Sequence, residues 1–152
     1  MEEITKQKIL TVIGDVYEKS AKCKLEESFL YKMNNELTYL SKYFSLTKIQ
    51  SLFLANIFAL TYKGDKVDLN ELIDYFDCNP MKLLEFDSDF NTLLSSCILT
   101  KKKSSVRRAI DATTHYFMPY SLMGYYIYGN TPPQSNKISM LQFDWENQEI
   151  QI

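Results

Sequence analysis

Histidine is nearly missing from this chain of 152 residues: His115 is alone, with no close carboxylate–His cluster. That leaves no material for a catalytic triad or a histidine-based zinc site. Glycine is scarce too. Gly14, Gly64, Gly124 and Gly129 stand isolated, and no GxxxxGK[ST] occurs, so a P-loop is excluded. Cys23, Cys78 and Cys97 are odd in number, far apart, and lack CxxC or CxxH spacing. They make no disulfide framework and no metal cluster; with no signal peptide apparent, they read as reduced cytosolic thiols. Arginine is limited to Arg107 and Arg108, the other fifteen basic residues being Lys. Arg is the bidentate reader of phosphate and guanine, so its shortage argues against dense base readout. No long apolar run exists either. The longest, near Leu52 to Leu60, is broken by Asn56, which argues against a membrane span.

What is present is the material of an ordinary globule. The chain is 45% hydrophobic and 24% charged, with eleven Tyr and nine Phe. At this length about two-thirds of the unfolded surface can be buried, enough for a sizeable core.

Periodicity places the elements. Ile9, Val12, Ile13 and Val16 follow one helix face. Leu30, Met33, Leu37, Leu40 and Phe44 step by threes and fours, the spacing of a helix–helix seam that packs within the chain rather than between copies. The polar stretch Ser20 to Lys24 separates these two helices. A third runs from Thr47 to Tyr62, with Thr47 and Gln50 at capping-box spacing and Gly64 as its stop. It is apolar nearly all round, which predicts a central position. Asp68 and Glu71 cap a short helix carrying Leu69, Leu72, Ile73 and Phe76. Asn79 followed by Pro80 opens another, with its stripe at Leu83, Phe86, Phe90, Leu93, Leu94 and Cys97. The link Asp77-Cys78-Asn79 is about as long as a helix-turn-helix turn.

Beyond Cys97 the pattern changes to strands around a polar loop. Ile98-Leu99-Thr100 enters the basic run Lys101 to Lys103, followed by Ser104 to Arg108, and Thr113 to Met118 suits a strand. Val67 can add a short third strand. Pro119 opens a last helix with Leu122, Met123, Tyr125 and Tyr126, stopped by Gly129. Residues 131–136 are a linker, and the tail from Lys137 to Ile152 is a docked short helix or a frayed end. The expected fold is mainly α (α+β). A helical lead-in (1–44) precedes a winged helix made of a helix-turn-helix plus a β-hairpin, with one more helix (45–129). A linker and tail follow (130–152).

The net charge of −2 hides an asymmetry. From Lys63 to Leu99, three lysines face eight carboxylates; from Lys101 to Asp111, five bases face one acid. In a DNA-binding winged helix the helix from Pro80 would enter the major groove. Its outward positions Lys82, Glu85, Asp89 and Thr92 include two carboxylates, which phosphates repel. Lys101, Lys102, Lys103, Arg107 and Arg108 are therefore the candidate contacts, to a partner or to a phosphate backbone; their bland reading is a solvated hairpin loop. His115 reads as an ordinary structural or surface residue. Tyr116, Phe117, Tyr120, Tyr125, Tyr126 and Tyr128 read as core more readily than as a peptide surface.

The run from Leu46 to Thr100 resembles the region preceding the ATPase module in a group of bacterial AAA-family ATPases. The marks are LT-x-x-Q at Leu46, Thr47 and Gln50, then GDKVDLNELI from Gly64 to Ile73. DCNPMKLL from Asp77 to Leu84, the following KKK, and YGNTPP from Tyr128 to Pro133 complete them. The resemblance implies a non-catalytic N-terminal piece that recognises a partner, docks the protein or regulates the motor. In such proteins the P-loop and Walker-B residues lie downstream, and none can be carried onto this chain. The expectation is thus a cytoplasmic accessory domain without cofactor, enzymatic activity or membrane contact. Its partner would be a protein or a downstream ATPase module. The alternative is a small regulator contacting DNA weakly through its basic wing.

Overall fold

A computed structural model describes residues 3–107, 113–119, 143–144 and 149–150. Within them the chain is mainly helical, with a small antiparallel sheet. Helix α1 spans Glu3–Ser20. The expected second helix is divided at Met33 into α2 (Glu27–Lys32) and α3 (Asn34–Phe44). The seam nevertheless packs inward: Met33, Leu37, Leu40 and Phe44 are buried. Helix α4 (Lys48–Lys63) is central, buried on every side from Gln50 to Phe58. Its capping box is complete, with Gln50 N donating to Thr47 Oγ1 (3.2 Å) and Thr47 N to Gln50 Oε1 (3.1 Å). Gly64 ends it at φ 112°, a left-handed backbone that glycine adopts without strain.

The polar stretch after α1 is more than a separator. Lys22 N donates to Tyr75 O and Lys24 N to Phe76 O, both at 2.8 Å. Lys22, Lys24 and Leu25 are all left-handed, which turns the strap back onto the end of α5 (Leu69–Phe76). The Tyr75 hydroxyl donates to Tyr17 O, and the two rings stack at 5.2 Å. One apolar core therefore runs from Ile9 through α4 to Phe117, including the lead-in.

Asp68 caps α5, accepting from Glu71 N at 2.8 Å. Asn79 caps the next helix, accepting from Met81 N, with Pro80 at its first position. That helix is shorter than its apolar stripe predicts: α6 (Pro80–Leu84) stops, and α7 (Asp87–Ser95) begins after Phe86. Asp87, Ser88 and Asp89 favour a first turn over a helix interior, where short polar side chains compete for backbone hydrogen bonds. The Phe86 ring still reaches the core, edge-on to Phe53 at 5.5 Å.

Strands β1 (Thr100–Arg107) and β2 (Thr113–Met118) pair antiparallel; in place of the expected short third strand, Val67 makes a single bridge to Phe117. Ile98 and Leu99 are buried but lie ahead of β1. Lys101 to Lys103 are part of β1, not of a hairpin loop, which corrects the bland reading of that run. The pairing Lys101↔Phe117 through Lys103↔His115 draws them into the ladder. In the tail, β3 (Phe143–Asp144) pairs with β4 (Glu149–Ile150). The expected short helix or frayed end is thus replaced at these positions by a strand pair, which suits Phe143 opposite Ile150. The helix expected from Pro119 to Gly129 and the linker lie outside the described residues, apart from buried Pro119 itself.

Candidate functional site

An open groove of about 400 Å³ lies between the start of α5, the α6–α7 segment and the inner face of the hairpin. Its floor is Leu83, Phe90 and Phe117, all buried. Phe90 stacks on Phe53 at 4.5 Å and on Phe117 at 5.4 Å, so one aromatic column joins α4, α7 and the sheet beneath the groove. The lips are apolar and exposed: Leu69 is 37% exposed and Leu84 50%. Met81, on the outer side of α6, is 63% exposed.

The rim is charged. Asp68 and Asp87 stand on the helical side, Lys101 and His115 on the strand side. Strand alternation explains the second pair. Lys101 and Phe117 are register partners on the inner face, where His115 also lies. Lys102 falls on the outer face with Tyr116, whose ring lies under Lys66 Nζ at 5.4 Å. The five basic candidates are therefore not gathered into one described patch. Lys101 and Lys102 go to opposite faces, Lys103 and Arg107 sit on β1 by backbone position, and Arg108 lies outside the described residues.

The outward positions of the α6–α7 segment are likewise sorted. Lys82 Nζ approaches Glu85 at 3.9 Å and lies over the Phe86 ring. Asp89 accepts from Gln50 Nε2 at 3.0 Å, so the residue that caps α4 also ties down α7. Burial, together with Asp65, Asp68 and Asp74 nearby, raises the Glu71 carboxyl above its ordinary pKa. A concentration of negative charge thus backs the helical lip.

None of this is a set of reacting groups. Cys23 and Cys78 are thiols outside any disulfide. Burial pushes the Cys23 and Cys78 thiols up, away from the thiolate form a nucleophile needs. Among the described residues no group of His, Cys, Asp and Glu is placed to hold a metal ion. His115 is exposed at the rim. Among them, too, no single helix is long and apolar enough to cross a membrane.

Sequence periodicity passed over Leu69, Met81, Leu84 and Asp87 as site residues. A signal was available: Met81 and Leu84 are apolar, three apart, and out of phase with the stripe through Leu83 and Phe90. No family model matches the chain, and no significant match occurs among the curated proteins or the solved structures with which it was compared.

Proposed function

We propose that this chain is a non-catalytic recognition domain of winged-helix type that binds a protein partner along the α6–α7 lip. The observation that carries the reading is the chemistry of that lip. Where a DNA-reading winged helix would present Lys and Arg, this segment exposes Met81, Leu84, Glu85 and Asp87. Exposed apolar side chains bordering a groove are the surface of a protein contact. The succession of α5, a short turn, α6–α7 and the hairpin, with Val67 bridging β2, supports the winged-helix assignment. The resemblance to the region before an AAA-family ATPase module supplies the setting: a cytoplasmic accessory domain that docks or regulates a motor.

A second reading has its own observation. Lys66 Nζ lies over the Tyr116 ring, and Lys102 is the register partner of Tyr116 on the outer face of the sheet. Two lysines on that outer face suit a phosphate backbone lying along the wing, weakly and with strong salt dependence.

The test is site-specific photocrosslinking in the native cell, with benzoylphenylalanine placed at Leu84 or at Lys102. The protein-recognition reading expects nuclease-resistant protein adducts at position 84, lost when Met81→Ser is added. Adducts at position 102 that nuclease removes, with none at 84, would move the function to the wing.

A further inference from the structure

Resting on that reading, we infer that the groove takes a basic amphipathic segment of the partner protein. Its apolar side chains would seat over Phe90 and Phe117, and its ammonium or guanidinium groups would meet the α5–α7 lip. The apolar half of the fit comes from the floor. Leu83, Phe90 and Phe117 close the floor and are already buried, so the apolar area still in water is that of Leu69 and Leu84 at its edges. A ligand covering them removes that area from water, which drives association.

The charged half comes from an imbalance. Asp65, Asp68, Glu71, Asp74, Glu85 and Asp87 all belong to α5, α6–α7 or the turns beside them. Among the described residues the ion pairs Lys24–Asp77 and Lys82–Glu85 take up neither Asp68 nor Asp87, while Lys63 acts on Glu71 from a distance. Asp68 Oδ1 is occupied by Glu71 N, and Asp87 Oδ2 receives only a long 3.4 Å bond from Asn91. Their charge is left to face the groove mouth and solvent. A cationic segment is attracted to that lip; an acidic segment and a DNA duplex are both repelled. Lys101 and His115 on the opposite wall give the groove a polarity. The bound segment should turn its basic flank to α5 and α7, with any carboxylate of its own toward Lys101.

The experiment uses the full chain, isotopically labelled, and two synthetic amphipathic peptides. Both carry the same leucine stripe; one has Lys at its remaining positions and the other Glu. Amide shifts are followed by NMR at low and at moderate salt. The Lys peptide should bind about tenfold more tightly than the Glu peptide at low salt, with the shifts centred on Leu84, Phe90 and Phe117. Joint Asp68→Asn and Asp87→Asn substitution should reduce that preference to about twofold; Asn keeps the α5 cap, so thermal unfolding serves as the folding check. Leu84→Ser should weaken both peptides alike. Equal binding of the two peptides, still sensitive to Leu84→Ser, would overturn the charge inference and leave the docking reading standing. Shifts outside the groove, with Leu84→Ser silent, would overturn both. Concentration-dependent shifts at Leu84 without peptide would assign the groove to a second copy of the chain and overturn the proposed occupant.

Discussion

On the helical side of the groove, Asp68 and Asp87 reach one rim although α5, a turn and α6 separate them in sequence. On the strand side, Lys101 and Lys102 are adjacent in sequence and go to opposite faces. The two regions carry charge of opposite sign and dispose of it in opposite ways. Helices packed side by side bring together residues from distant positions, whereas a strand divides a run of like residues with period two. The acidic side therefore brings Asp68 and Asp87 to one rim, and the basic run is divided between two faces. A count of charges along the chain made the basic run the candidate contact, beside its reading as a solvated loop. The proposed recognition surface is instead the carboxylates and apolar lips opposite.

The largest test of this contrast asks whether the two regions are mechanically one. Phe90→Ala removes the ring stacked between Phe53 and Phe117. It should cost about 3–5 kcal/mol in chemical denaturation. Amide exchange should accelerate in Thr113–Met118 together with Asp87–Ser95. Unchanged protection in β2 would mean that the hairpin does not depend on this column. A smaller effect is expected at the α4 cap. Thr47→Ala should cost about 1 kcal/mol. It should also loosen α7, because Gln50 serves the capping box and Asp89 together. A loss of stability with no change in α7 exchange would separate those two roles.

Charge changes on the lip itself should be smaller still. A raised carboxyl pKa means that the folded state holds the proton more tightly than the unfolded chain does. Glu71 therefore lowers stability as pH rises from the ordinary Glu value, about 4.3, through its raised value. Glu71→Gln should leave stability unchanged below that window and equal or greater above it, flattening the dependence of melting temperature on pH. A variant less stable at neutral pH would show that attraction to Lys63 outweighs burial and the neighbouring carboxylates. Smallest of all, Lys82→Ala should change stability by less than about 1 kcal/mol, because its pair with Glu85 is exposed. The same variant should strengthen binding of a basic peptide by making the lip more negative.

Much of the fold was legible because local rules and tertiary packing agree. The caps at Thr47, Asp68 and Asn79 lie where their side chains predict, and the seam from Met33 to Phe44 is buried. The division of the helix after Leu84 was not legible from its stripe, since Phe86 continues the apolar phase while Asp87 to Asp89 interrupt the helix. The site was legible only in its parts. Acidic charge around α5 is plain in the sequence. The meeting of Asp68, Asp87 and Lys101 around Phe90 and Phe117 depends on long-range packing that no local period encodes. Lys102 beside Lys101 shows the converse, a neighbouring pair that strand geometry separates.

The most direct test of the central claim, that recognition belongs to the helical lip and not to the wing, is a titration of the chain with labelled duplex DNA. It is performed at low and at moderate salt, on the wild type and on the Lys101→Ala, Lys102→Ala, Lys103→Ala triple variant. The account predicts weak binding at low salt, at most a few-fold different between the two proteins, and none at moderate salt. Tight low-salt binding that the triple variant abolishes would contradict it and return the function to the basic strand.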